Sequence, residues 1–264
     1  MTGTLYKKLI IGFIGIWFAL FLGQPCKAQV TVGLDNWFNR ETHSKTGLPF
    51  HYLWNDSADS GFSRWGDIFR QQGAQLATLE KPDKTSLKNV DVYIIVDPDS
   101  TAETPVPNYI MPDDINTIER WVKKGGVLVL MANDYKHCGL KHFNYLSVRF
   151  GMVFNNVMLH PVLNNQYEMG AFTQFPDHPL FKGVSKIYMK EVASINLFGN
   201  ARPVLTENGQ VIIAESNYGK GFVIAVGDPW IYNEYIDNDR LPEDFENRKA
   251  AENLTGYLLG KVKH

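Results

Sequence analysis

Residues 221–239, GFVIAVGDPWIYNEYIDND, decide how the rest of the chain is read. An apolar run, Phe222 to Val226, stops at Gly227, and Asp228, Trp230, Tyr232, Asn233, Glu234 and Tyr235 follow at once. A short continuous apolar run bounded by turn formers describes a strand covered on both faces, the pattern of a parallel sheet flanked by helices. The figure recurs where VYIIV (92–96) runs into Asp97-Pro98-Asp99 and where VLVLM (127–131) runs into Asn133-Asp134. Ligands of open α/β sheets bind outside the carboxyl ends of the strands, so these three endings are expected to converge on one crevice.

Working outward, QVTVGL (29–34) reads as the first strand, ending at Asp35-Asn36, and Gln75 to Leu79 as the second. Between them, Phe62, Trp65, Ile68 and Phe69 fall at helical spacing, with Ser60 or Ser63 to cap the helix and Gly73 to stop it. Asp113-Asp114 opens a further helix, with Ile115, Ile118, Trp121 and Val122 on one face. Lys123-Lys124 in its last turn and Gly125-Gly126 beyond complement the helix dipole. A helix over 143–150, a short strand at Val153-Phe154 and an irregular stretch over 155–186 come next. From Ile187 onward the pattern is β-rich, and a helix over 245–259 closes the chain. The spacing predicts a single α/β domain, a flavodoxin-like three-layer sandwich with a mostly parallel central sheet and a β-rich C-terminal part.

The chain of 264 residues opens with Lys7-Lys8, an apolar stretch from Leu9 to Leu22, and GQPCKAQ (23–29). A basic start, a short apolar core and a small residue before the cut describe a signal peptide over 1–28, cleaved after Ala28, and hence a periplasmic or secreted domain over 29–264. The apolar stretch falls short of the ~20 residues a bilayer span needs. Lipidation at Cys26 is disfavoured by Gln24 and Pro25, which are poor substitutes for the small residues expected before a lipidated cysteine. Removing Lys7, Lys8 and Lys27 and no acid takes the formal charge from −2 to −5, which disfavours nucleic acid as a partner. Only Cys138 remains, so no intrachain disulfide is available to the cleaved chain.

Asp35, Asp97, Asp99, Asp134, Asp228 and Glu234 all sit at or just past strand ends. Converging carboxyl groups could divide into a general acid and a base, with Asp228, Glu234 and Asp134 as the candidate catalytic set. Alternatively, Asp97, Asp99 and Asp228 could hold Ca²⁺ or Mg²⁺; no other cofactor is expected. The plainer alternative is that Asp97-Pro98 and Asp228-Pro229 are turn formers whose side chains cap local amides. Candidate substrate contacts are Asp35, Asn36, Asp97, Asp99, Asn133 and Asn233, with His51 and Trp54 in the long loop after the first strand. Trp37, Trp54, Trp230, Tyr232 and Tyr235 could stack on sugar rings. His178 has a competing role as cap of the HPLF turn, and Cys138 beside His137 lacks the glycines of a nucleophile elbow.

GLDNWFN (33–39), SGFS (60–63), YIIVDPD (93–99), WVKKGGVLVLMANDY (121–135), FGMVFN (150–155), EMGAF (168–172), DHPLFKGV (177–184) and GDPWIYNEYIDNDRLPEDFEN (227–247) together carry a resemblance. They look like a class I glutamine amidotransferase-like domain of unassigned function, found in Bacteroidetes carboxy-terminal to unsaturated rhamnogalacturonyl hydrolases. The resemblance implies a role in pectin- or rhamnogalacturonan-type polysaccharide utilisation. Its expected partners are a uronic-acid-containing oligosaccharide and a glycoside hydrolase. It does not bring hydrolase activity with it, because the neighbour's helical barrel has no counterpart here. Nor does it bring amidotransferase chemistry, because Ala132-Asn133-Asp134 stands where the nucleophilic cysteine would be.

Overall fold

The computed structural model describes residue 1 and residues 29–43, 45–133 and 136–263. The expected leader beyond Met1 and the candidate Asp134 lie outside the described residues. The strands are Thr31–Asp35 (β1), Gln75–Leu79 (β2), Val92–Val96 (β3), Val127–Met131 (β4), Met152–Phe154 (β5), Ala171–Phe172 (β6), Ile187–Tyr188 (β7), Ile195–Leu197 (β8), Arg202–Glu207 (β9), Gln210–Tyr218 (β10) and Gly221–Val226 (β11). The helices are Ser63–Gln71 (α1), Lys84–Leu87 (α2), Pro112–Lys124 (α3), Leu140–Ser147 (α4), Asn233–Ile236 (α5) and Asn247–Lys261 (α6). Among the described residues no helix is long and apolar enough to cross a membrane.

One sheet runs in the order β2-β1-β3-β4-β11-β10-β9. Its first five strands are parallel, in the flavodoxin-like order, and β10 and β9 extend it as an antiparallel hairpin edge. The β-rich C-terminal part is therefore partly the same sheet, with β5–β8 and β6–β7 as two small separate pairs. The three central strands are buried throughout because their side chains alternate between two cores. Val92, Ile94, Val96, Val127, Val129, Met131, Phe222, Ile224 and Val226 face α1 and α6, while Tyr93, Ile95, Leu128, Leu130, Val223 and Ala225 face α3 and α4. Continuous apolar runs are what a strand covered by helices on both sides requires.

Two local expectations are corrected. Neither Ser60 nor Ser63 caps α1; Phe62 stands at the cap position and makes no side-chain bond. Asn233 does the work from the far end of the chain, its Oδ1 accepting from Arg64 N at 3.0 Å and from Ser63 Oγ at 3.3 Å. The helix expected over 143–150 begins earlier, at Leu140, and tightens into a 3-10 turn over 148–150.

Candidate functional site

β3, β4 and β11 are neighbours in the sheet, so the endings that share one sequence figure lie side by side. Asp97 leaves β3 with φ +34°, in the left-handed region that strains a non-glycine residue. Its Oδ1 accepts the Asn133 amide at 2.6 Å and its Oδ2 accepts the Tyr52 hydroxyl at 2.8 Å. Tyr232, arriving after β11, places its hydroxyl 3.3 Å from Asn133 Nδ2 and its ring 5.9 Å from that of Tyr52. Asp228 accepts the Lys190 amide at 2.9 Å and contributes to the field at Asp97 and Tyr232. These five side chains form a buried polar hub beneath the crevice. Burial, opposed by the two hydrogen bonds, pushes the Asp97 carboxyl well above the usual carboxylate range, and burial likewise raises both tyrosines. Asp97, Tyr52 and Tyr232 are thus held in the hub as neutral hydrogen-bonding groups.

Several expected site residues serve the fold instead. Asp35 folds its own turn, accepting the amides of Trp37, Phe38 and Asn39 and the Tyr93 hydroxyl; burial still raises its carboxyl to about 6. Asn233 spends its whole amide, since besides capping α1 it donates to the carbonyls of Asp56 and Ala58. Glu234 accepts the Ser60 amide at 2.7 Å, with Asp59 and Arg240 as electrostatic neighbours. Trp230 and Tyr232 are 2% and 4% exposed and offer no open ring face to a sugar. His178 caps the 3-10 turn over 179–181 and packs against Tyr257 of α6, away from the strand ends. Asp97 accepts one donor on each of its two oxygens. Among the described residues no group of three or more His, Cys, Asp or Glu is arranged to hold a metal ion.

Two further features lie at the same edge. A cleft of about 630 Å³ lies outside β1 and β2, walled by Leu48, Phe50 and the edge of Trp54, with Asn36, Asn55 and Glu80 as polar lining. Trp54 is anchored by its Nε1 donating to the Ala77 carbonyl at 3.0 Å, and Asn36 Nδ2 donates to Glu80 at 2.9 Å. Beside the cleft, His51 Nδ1 stands 3.0 Å from Glu41 Oε1, and both lie close enough to Asp99 to alter its field. Asp99 accepts from Arg40 N and from the Thr104 hydroxyl. Glu103 accepts from Ser100 N and Oγ. Burial raises Asp99 to about 6 and Glu103 to about 7, with Glu41 adding to both shifts.

Of these residues the sequence pattern pointed to Asn36, His51, Trp54 and Asp99 and missed Tyr52, Glu41 and Glu103. Glu103 lies in an irregular proline-bearing loop, where no periodicity marks a position. Its one available signal was its short distance in sequence from Asp97 and Asp99.

No protein-family model and no curated protein sequence matches the chain. Solved structures do. The N-terminal domain of mmIFT52 superposes with a TM-score of 0.64 at 13% identity, covering 89% of this chain and 99% of that one. A cytoplasmic protein of Salmonella typhimurium LT2 superposes with 0.57 at 15% identity, covering 89% and 100%. The cold-adapted β-galactosidase of Rahnella sp. R3 superposes with 0.52 at 14% identity, and here the chain covers only 32% of the longer enzyme. At these identities the likeness shows a shared α/β fold.

Proposed function

We propose that this chain is a secreted or periplasmic carbohydrate-associated domain that binds an oligosaccharide of acidic-polysaccharide utilisation at the C-terminal edge of its sheet. The observation that carries the reading is the cleft outside β1 and β2, in which the Phe50 ring and the Leu48 side chain stand beside Asn36, Asn55 and Glu80. A sugar ring presents an apolar C–H face and a rim of hydroxyls, and an aromatic wall with planar polar neighbours complements both. The cleft's carboxylates are Asp56 and Glu80, the latter 3.4 Å from Arg40. They favour hydroxyl-rich units, and a uronate would bind there best with Ca²⁺ between the carboxylates.

A thermal-shift screen against neutral and uronic oligosaccharides, with and without Ca²⁺, tests this. A ligand that binds only the folded state raises the melting temperature. Phe50→Ala is expected to weaken binding by roughly tenfold, the loss of about 1.4 kcal/mol of ring contact. Absence of any shift across the panel would sink the reading. A second reading, docking onto a partner glycoside hydrolase, draws on the β-galactosidase in which a fold of this kind occupies about a third of the chain. Co-purification with such an enzyme, undiminished by Phe50→Ala, would favour it.

A further inference from the structure

Phe50 belongs to two places at once: it lines the cleft, and its ring centroid lies 3.8 Å from that of His51. His51 is held by three constraints. Its backbone sits at φ +66°, a conformation costing a non-glycine residue on the order of 1–3 kcal/mol. Its amide donates to Asp56 Oδ2 at 3.2 Å, and its Nδ1 faces Glu41 Oε1 at 3.0 Å. A carboxylate only accepts, so Nδ1 carries the hydrogen, and in the neutral ring Nε2 presents a lone pair. Nε2 has no hydrogen-bond partner among the described residues. An acid that sets the tautomer and orientation of an imidazole is the arrangement of a general base.

The neighbouring acids complete the group. Asp99 is 2% exposed, and its Oδ1 has no hydrogen-bond partner among the described residues although Oδ2 has two. A buried carboxyl oxygen left open is costly unless it carries a proton or meets a ligand. Glu103 holds Ser100 through a single oxygen. Glu41, Asp99, His51 and Asp97 are the titratable groups whose fields reach this pair of acids. Their surroundings leave Glu103 protonated up to about pH 7, so it can donate at neutrality.

We propose that Glu41, His51, Asp99 and Glu103 form an acid–base site that hydrolyses a glycosidic bond of the sugar held in the adjacent cleft, with His51 as general base and Glu103 as general acid. The proposal rests on the cleft being a sugar site. Water is the second substrate. Its proton passes to His51 Nε2 while its oxygen forms a bond to the anomeric carbon. The bond from that carbon to the leaving oxygen breaks, and the leaving oxygen takes the proton of Glu103. The imidazolium is balanced by Glu41, and proton exchange with solvent restores both groups. Direct displacement by water inverts the anomeric centre. Asp99 and Glu41 are positioning residues: burial is the chief cause that keeps Glu103 protonated, the Glu41 and Asp99 carboxyls add to it, and Glu41 also sets the imidazole tautomer.

The test uses the full chain with oligogalacturonides and β-galacto-oligosaccharides, following binding by calorimetry and product by reducing ends and NMR of the new anomer. The wild type should release inverted product, with a rate that falls as pH rises through about 7. His51→Asn, whose replacement side chain tolerates the left-handed backbone, should lower kcat by about 10²–10⁴ with KM little changed. Glu103→Gln should abolish the fall near pH 7, whereas Phe50→Ala should raise KM. Binding without product, or a wild-type kcat in His51→Asn, overturns the acid–base site and leaves the cleft intact. Absence of binding together with absence of product overturns both.

Discussion

Asp97 shows how one residue can be conspicuous in a sequence for a reason other than the one it suggests. A carboxyl at the end of a central strand reads as reactive, yet here it is buried, raised far above its usual range and enclosed by the Asn133 amide and the Tyr52 hydroxyl. Its job is to join β3, β4 and the 41–60 loop without bringing a charge inside. Asp97→Asn should therefore be tolerated to within about 1 kcal/mol, because Asn suits a left-handed backbone and keeps both an acceptor and a partner for Tyr52. Asp97→Ala should cost at least about 2 kcal/mol, since it strands two buried donors. Urea unfolding of the two variants measures the difference, and equal losses would mean that charge rather than hydrogen bonding holds the hub. Thr255 makes the same point within the core: its hydroxyl accepts Trp65 Nε1 at 3.0 Å. Thr255→Val, nearly the same shape, should cost about 1–3 kcal/mol by leaving that indole donor unpaired.

At the scale of elements, β11 is the piece that everything else abuts. It is parallel to β4, antiparallel to β10, and followed by the segment that supplies Asp228, Tyr232 and Asn233. Gly227 ends it under close constraint, because a Cβ there would lie 2.0 Å from the Ala193 carbonyl oxygen. The Ala193 amide in turn donates to the Gly227 carbonyl at 2.8 Å. Gly227→Ala is expected to destabilise by about 1–3 kcal/mol through forced backbone movement, read as a lower urea midpoint with an unchanged slope. A variant as stable as the wild type would show that the Ala193 segment yields freely. The strands themselves were legible because burial on both faces demands unbroken apolar runs, and Gln75–Leu79 and Val127–Met131 are found as the sequence marks them. The cap of α1 was not legible. Asn233 reaches Arg64 across 169 residues of sequence, and no local spacing records such a contact.

For the molecule as a whole, three raised carboxyls contribute a pH dependence of one sign. Asp35, Asp99 and Glu103 hold their protons more tightly when folded than when unfolded. Groups of this kind contribute stability that is fully present below their unfolded values, near 4, and is lost as pH rises through about 6 for the two aspartates and about 7 for Glu103. Between pH 4 and pH 7 these three therefore favour the acidic end. Glu103→Gln should flatten the fall in melting temperature between pH 5 and 8 relative to the wild type. Identical pH profiles for the two would place the Glu103 carboxyl in ordinary solvent.

The sequence by itself determined the layered α/β plan, the strands of the parallel sheet and the edge at which polar chemistry gathers. These depend on hydrophobic periodicity and on turn residues, which are written locally. Only the tertiary structure decided which of the gathered residues face one another. It turned Asp35, Asn233 and Glu234 inward to satisfy backbone amides, closed Asp97 within a hub, and left His51, Glu41, Asp99 and Glu103 together beside an open cleft. The physical reason is that a buried amide must find an acceptor wherever the chain brings one. A side chain's role therefore follows from which donors surround it after folding.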